Sequence, residues 1–273
     1  MKLSERLALT VNIAEQAGNM IRKARLEQSF SKHYKQNDEL VTDADVAVDR
    51  FIAEQLETHF PGEARLTEEL SPERDVLEQD GDLWVIDPID GTVNFARGLP
   101  HVAVSIAWSQ KGKVQLGVVH APFLDETFTA LRGKGARLND NNIEASTAKR
   151  LEHSLIATGF PYRIEGRAPL LRRLGAVMDV CKDLRRCGSA ALDLCNVACG
   201  RLDGYYESVS PWDFAAGFLI AQEAGARTGH LYPCPDNIPE ALYGEHILAT
   251  APDIYKPLYT LLIQADENRI SAR

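Results

Sequence analysis

The chain has no long hydrophobic run, no excess of basic residues and no closely paired cysteines. Each absence excludes something. No apolar stretch approaches the roughly 20 residues that a transmembrane helix needs, so no membrane partner is expected. Glu5, Asn12, Glu15 and Gln16 interrupt the region where a secretion signal would keep its apolar core, which points to a cytoplasmic protein. The net charge of −9 argues against a nucleic-acid partner gripped by its phosphates, because that mode needs a basic face and counterion release. A small phosphorylated ligand stays compatible with it if divalent metal ions stand between the acids and the anion. The five cysteines fit no CxxC pair. Cys195 and Cys199, in SAALDLCNVACG, fall on one face of an expected helix and read as buried reduced thiols, not as zinc ligands. No linker, low-complexity tract or internal repeat interrupts the chain.

What is present describes an ordinary globular protein, 45% hydrophobic and 25% charged over 273 residues, long enough for a substantial core. Leu3, Leu7, Val11, Ala14, Ala17 and Ile21 follow helical spacing and predict an amphipathic helix over residues 3–26. SKHYKQNDEL then reads as a polar loop. A second helix follows, with Val48, Phe51, Ile52, Gln55 and Leu56 inward and Pro61-Gly62 closing it. From residue 83 to about 132 the patterns LWVID, VAVSIAWS, VQLGVVHA and ETFTALR predict an antiparallel meander. After residue 145 helix and strand patterns alternate: LEHSLIATGF, a helix near LLRRLGAVMDV, GSAALDLCNVACG, LDGYYES, and a helix from about Pro211 to Ala224. Two closely packed α/β lobes are expected, residues 1–145 and 146–273, with functional residues in the cleft between them.

One stretch breaks the usual economy of a buried strand. LWVIDPIDGT runs from apolar residues into Asp87 and Asp90, on a turn expected from Pro88 and Gly91. Paired acids at a buried strand end repel one another and need a counter-charge. Oxygen-only ligands at such a point suit Mg²⁺, Mn²⁺ or Ca²⁺ better than zinc or iron. Further acids stand in TEEL (Glu68 and Glu69), in SPWDFAAG (Asp213) and in LVTDADVAVD (Asp45). Thr42 to Asp45 and Ser210 to Asp213 also fit capping boxes, so each of these aspartates can equally finish a helix start. Glu68 and Glu69 can equally be solvated surface residues.

DPIDGTVNF and PWDFAAGFLIAQEAGA resemble the two signature motifs of the inositol monophosphatase family, metal-dependent and lithium-sensitive sugar phosphatases. LVTDAD, TEEL, GKGARLND, ATGFPYR and GSAALDLCNVACGRLDGYYE extend the resemblance, in order, over nearly the whole chain. It implies a layered αβαβα sandwich, with an antiparallel sheet and most metal ligands in the N-terminal lobe. A mixed sheet, the substrate contacts and Asp213 would belong to the C-terminal lobe. Glu68, Asp87, Asp90 and the Ile89 carbonyl become metal ligands by this resemblance, and Asp213 completes a second ion's shell. Asp45 becomes an outer partner or the ligand of a weaker third ion. Two or three Mg²⁺ ions are implied, with Mn²⁺ as a substitute. Thr92 would orient the attacking water together with Glu68. Gly91 and Thr92 would open a helix whose free N–H groups hold the phosphate, a use of a helix start that physics favours independently. Glu207 would contact substrate hydroxyls, and Gly188, Ser189 and Ala190 the sugar; Asp193 is a further candidate. Lys35, Arg185 and Arg186 are cations near the expected site.

The implied activity is hydrolysis of a small phosphorylated polyol by metal-activated water, with inositol 1-phosphate first. Histidinol phosphate, fructose 1,6-bisphosphate and 3′(2′),5′-bisphosphate nucleotides are the alternatives within the superfamily. Haloacid-dehalogenase-like phosphatases carry DxDGT, whereas this chain has DxxDGT, which moves the second carboxylate away from the proton-donor role there. A partner-binding protein with residual phosphatase activity is the alternative of a different class. The family is usually homodimeric. The chain departs from the family pattern in Thr67, where a glycine usually precedes the paired glutamates, in EAGA for EAGG, and in a segment one residue shorter between Glu207 and Trp212.

Overall fold

Leucines, isoleucines and alanines at helical spacing build α1 (Leu3–Glu27), which buries Ile13, Ala14, Ala17 and Ile21 and ends at Gln28 in the left-handed region. The computed structural model describes residues 1–34, 40–71, 77, 81–160 and 167–267. Lys35 and residues 161–163 of ATGFPYR lie outside them. The stretch read as a polar loop instead contains β1 (Lys32–Tyr34) and β2 (Leu40–Thr42), paired antiparallel. All three residues of β1 are exposed, so backbone hydrogen bonds form the pair and no apolar alternation announces it. A capping box between Thr42 and Asp45 then starts α2 (Asp43–His59), which stops just before Pro61-Gly62.

A seven-stranded sheet follows: β3 (Ala64–Thr67), β4 (Asp82–Asp90), and, after the short helix α3 (Thr92–Arg97), β5 (Ala103–Gln110), β6 (Lys113–Ala121), β7 (Glu126–Leu131), β8 (Ala136–Leu138) and β9 (Asn141–Ile143). From β4 onward neighbours are antiparallel, as the meander predicts, while β3 pairs parallel to β4 at the edge. Side chains alternate across this sheet. Trp84, Ile86, Val104, Ile106 and Trp108 join the core under α1 and α2. Leu83, Val85, Ala103 and Ala107 join the core on the opposite face.

The second sheet is mixed. Its elements are β10 (Leu155–Thr158), α4 (Arg167–Val180), β11 (Asp183–Arg185), α5 (Ala190–Ala198), β12 (Gly204–Glu207), α6 (Pro211–Glu223), β13 (Arg227–His230), β14 (Ile247–Thr250) and α7 (Tyr255–Glu267). The strand order is β11-β10-β12-β14-β13, parallel through the first three and antiparallel to β14. Contacts of α6 with β4 to β8, and of α5 with β12 and β14, put these two helices between the sheets, while α4 and α7 pack on each other. The result is an αβαβα sandwich. As a middle layer, α6 has no solvent face: Phe214, Ala215, Ala216, Phe218, Leu219 and Ile220 are all buried. Its backbone approaches β6 so closely that a Cβ on Gly117 would lie 2.7 Å from the Ala216 carbonyl oxygen.

Candidate active site

Asp87 and Asp90 are three residues apart on one strand, a spacing that would send them to opposite faces if the pleat were regular. It is not regular. The pairing of β4 with β5 shifts register between Asp87 and Asp90, so the strand carries a bulge at Pro88-Ile89 and continues to Asp90 instead of turning after Asp87. Both carboxylates then point to one side, where Asp213 arrives from the first turn of α6. The three offer oxygen atoms within 4.8 Å of one another, the one such His, Cys, Asp or Glu group among the described residues. Glu68 lies close enough for its charge to act on Asp87.

Burial raises the pKa values of all three aspartates, and neighbouring acids raise those of Asp87 and Asp213 further. Asp87 stands well above the ordinary carboxylate range, from burial first and then from the charges of Glu68, Asp90 and Asp213. Asp213 is pushed up to about 8 by burial and by Asp90. Asp90 rises to about 6 through burial, while hydrogen bonds from Ser189 and Ala191 and the charge of Arg186 pull the other way. Such a group is costly without a cation. The donor set that converges is made of carboxylates, with no nitrogen or sulfur, and so fits hard divalent ions of the Mg²⁺ or Mn²⁺ type.

These acids line a cleft of ≈ 620 Å³, and every other residue singled out from the sequence as part of the site lines it too, Asp45 excepted. Glu68, Ile89, Gly91 and Thr92 come from the first sheet and its loops; Gly188, Ser189, Ala190, Glu207 and Asp213 come from the second half. Gly91 adopts φ +96°, and a Cβ there would meet the His101 carbonyl at 2.7 Å, so the DGT step requires glycine. Asp45 is buried behind the cleft. Its Oδ1 accepts the Thr92 hydroxyl at 2.8 Å, and its Oδ2 accepts the Thr42 N–H at 2.8 Å and the Thr42 hydroxyl at 2.5 Å. Both Asp45 oxygens are thus engaged by Thr92 and Thr42. The capping-box reading is also correct, for Asp45 and for Asp213, whose Oδ2 accepts the Ser210 N–H at 2.7 Å. One oxygen can cap a helix while the other faces the site.

On the far side of the cleft, Tyr205 donates its hydroxyl to Glu207 Oε2 at 2.5 Å, and burial pushes Glu207 up to about 7. A Cβ on Gly159 would lie 2.0 Å from both Glu207 oxygens, so that glycine makes room for the carboxylate. The sequence resemblance puts Ser189 on the substrate. Its hydroxyl is already engaged, donating to Asp90 Oδ2 at 2.6 Å and accepting the Leu192 N–H at 3.3 Å as the cap of α5. Asp193 is buried on α5 at the cleft wall, its pKa raised well above normal by burial and by Glu207 and Asp90. Arg186 lines the cleft; Arg185 pairs with Asp183 at 2.7 Å and does not line it. In the shortened segment after Glu207, the Val209 N–H bonds to the Gly244 carbonyl at 3.0 Å.

Two supporting residues escape a reading of the sequence. Asn94, inside DPIDGTVNF, donates its amide to the carbonyls of His101 (2.8 Å) and Cys187 (2.9 Å), tying the start of α3 to the loop that carries Gly188. Asp49, one helical turn after Asp45, is fully buried and holds the TEEL turn. Its spacing from Asp45 was the available signal, because residues four apart share a helix face.

The layered fold and the carboxylate-lined cleft define a class of αβαβα proteins with an acidic cluster that could hold a divalent cation. The sequence matches the model of the inositol monophosphatase family over residues 2–269, and the chain belongs to that family. It is 42% identical over 240 residues to Nus factor SuhB of Escherichia coli strain K12, a match covering 85% of this chain and 89% of that protein. The crystal structure of the extragenic suppressor protein SuhB from Bartonella henselae is 35% identical and superposes with a TM-score of 0.85, covering 94% of this chain and 98% of that one. Inositol monophosphatase from Anabaena sp. PCC 7120 is 34% identical with a TM-score of 0.81, covering 96% of each chain. Among the described residues, no helix is long and apolar enough to cross a membrane.

Proposed function

We propose that this chain is a divalent-metal-dependent phosphomonoesterase acting on a small phosphorylated polyol, with inositol 1-phosphate as the preferred substrate. The observation that carries the reading is the convergence of the buried Asp87 and Asp90 with the half-buried Asp213, mutually repelling, beside the start of α3. Divalent ions held by Glu68, Asp87, Asp90, Asp213 and the Ile89 carbonyl would polarise the phosphoryl group, lower the pKa of water and offset charge on the leaving oxygen. The Thr92 hydroxyl donates to Asp45 Oδ1 at 2.8 Å, with the Ile89 carbonyl as a second acceptor at 3.1 Å, and so keeps its lone pairs available to accept a hydrogen bond from the attacking water. Glu68, on the same side of the cleft, takes the proton that the water loses. The phosphate rests on the N–H groups at Gly91 and Thr92; α3 has six residues, so local donors matter here more than a helix dipole. Glu207, oriented by Tyr205, accepts a hydroxyl of the leaving alcohol. The family resemblance supports the preference for a monophosphorylated polyol, and the cytoplasmic location and the homodimer belong to the same proposal.

Asp90→Asn tests the reading. Turnover of inositol 1-phosphate should fall at least a hundredfold with the circular-dichroism spectrum unchanged, since truncating charge at such a centre removes transition-state stabilisation. Mg²⁺-dependent activity near that of the unaltered chain would sink the assignment. A screen over inositol 1-phosphate, histidinol phosphate, fructose 1,6-bisphosphate and 3′-phosphoadenosine 5′-phosphate decides the substrate. A second reading, a partner-binding protein, is favoured by the name Nus factor carried by relatives such as the E. coli protein. Calorimetry showing no Mg²⁺ uptake would support it over the first.

A further inference from the structure

Asp45 and Asp49 occupy one face of α2, and both are buried. Asp45 reaches Thr92. Asp49 reaches the other side of the site, the turn that follows β3. Its Oδ2 accepts the N–H of Glu69 at 3.2 Å and of Leu70 at 3.0 Å. Thr67 Oγ1 in turn accepts the N–H of Leu70 at 3.2 Å and of Ser71 at 3.0 Å, and the Thr67 N–H donates to the Ser71 carbonyl at 3.0 Å. The backbone of Glu68 is fixed between them by its N–H bond to the Ile86 carbonyl at 3.3 Å. Asp49 is buried, so no water replaces these bonds when one partner is removed, and a donor left unpaired there is costly. A glycine at position 67 would offer none of the bonds that this hydroxyl makes.

We infer that Asp49 and Thr67 are positioning residues for Glu68: the buried carboxylate and the hydroxyl together hold the 67–71 turn in the conformation from which Glu68 serves the metal site. The inference rests on the phosphatase reading for the role of Glu68. Neither residue touches the substrate. One helix face thereby sets two parts of the site, the water-orienting Thr92 through Asp45 and the Glu68 turn through Asp49.

Thr67→Val removes the hydroxyl at nearly constant volume, and Thr67→Ser restores it. Mg²⁺ binding to the full chain is measured by calorimetry without substrate, alongside thermal unfolding. Thr67→Val should weaken Mg²⁺ binding about ten- to a hundredfold, the range seen when outer partners of metal ligands are removed. Thr67→Ser should return most of it. Activity should follow in the Mg²⁺ concentration needed for half-maximal rate much more than in kcat at saturating Mg²⁺. Asp49→Asn should act in the same direction, and the double variant should lose less than the sum of the two, because they hold one turn. Mg²⁺ affinity equal to the unaltered chain in both Thr67→Val and Asp49→Asn, whatever their melting temperatures, overturns the inference alone. Absence of Mg²⁺ binding by the unaltered chain overturns the phosphatase reading as well. If Asp49→Asn does not fold, the Thr67 pair still decides.

Discussion

Asp90 and Asp213 show how one side chain serves two purposes when its oxygens are divided. In each, one oxygen is tied to backbone or hydroxyl donors, from Ala191 and Ser189 in the first case and from Ser210 in the second. The remaining charge is directed at the other acids. With pKa values near 6 for Asp90 and 8 for Asp213 in the absence of a cation, the group carries protons at neutral pH. A dication must displace them. Mg²⁺ binding should therefore tighten as pH rises from about 6 to about 8 and release protons at pH 7. Calorimetry in buffers of different ionisation enthalpy measures that release. Affinity independent of pH over this range would mean that the carboxylates are ionised without the metal.

At the level of elements, α6 connects the site to the core. Asp213 stands in its first turn, and the rest of the helix fills the space between the two sheets. Its register against the first sheet is set where Gly117 meets the Ala216 backbone. Gly117→Val inserts a side chain into that contact, and overpacking of this kind costs about 1–3 kcal/mol or more. The expected outcome is a lower urea midpoint together with weaker Mg²⁺ binding, because moving α6 moves Asp213. A Gly117→Val protein with unchanged Mg²⁺ affinity would show that the Asp213 position is fixed by its Ser210 cap alone. On the outer layer, Gly18 of α1 gives similar room to the His120 ring, whose carbon lies 2.4 Å from where a Cβ would stand.

Across the whole molecule, buried histidines link stability to pH. His120 is 7% exposed, and burial, helped by the charge of Arg22, lowers its pKa from 6.5 to about 4. The unfolded chain therefore takes up this proton first. The stabilisation is complete above about pH 6.5 and is lost progressively as pH falls toward about 4, by at most about 3 kcal/mol. His246, also lowered by burial and by Arg173, acts in the same sense. Asp87, Asp90 and Asp213, with raised values, act in the opposite sense. The informative quantity is thus a difference: between pH 7 and about 5, the unaltered chain should lose more unfolding free energy in urea than His120→Gln does. Equal losses would contradict the assignment to His120.

Periodicity and composition determined a good deal of this protein by themselves. The helix over Leu3–Glu27, the meander from β4 to β7 and the largely apolar α6 were legible because hydrophobic spacing is a local property that burial then obeys. The acids of DPID announced a cation because paired charges at the end of an apolar strand repel one another and demand a counter-charge. Other features have no local signature. The exposed β1–β2 pair is held by backbone bonds, and the parallel placement of β3 depends on partners distant in sequence. The bulge that turns Asp87 and Asp90 to one side, the arrival of Asp213 from the middle layer, and the bonds from Asp49 to the Thr67 turn were decided only by the tertiary structure. The physical reason is common to all three: a carboxylate's role depends on which oxygen is already taken and which charges lie within a few ångströms, and packing between separate elements fixes both.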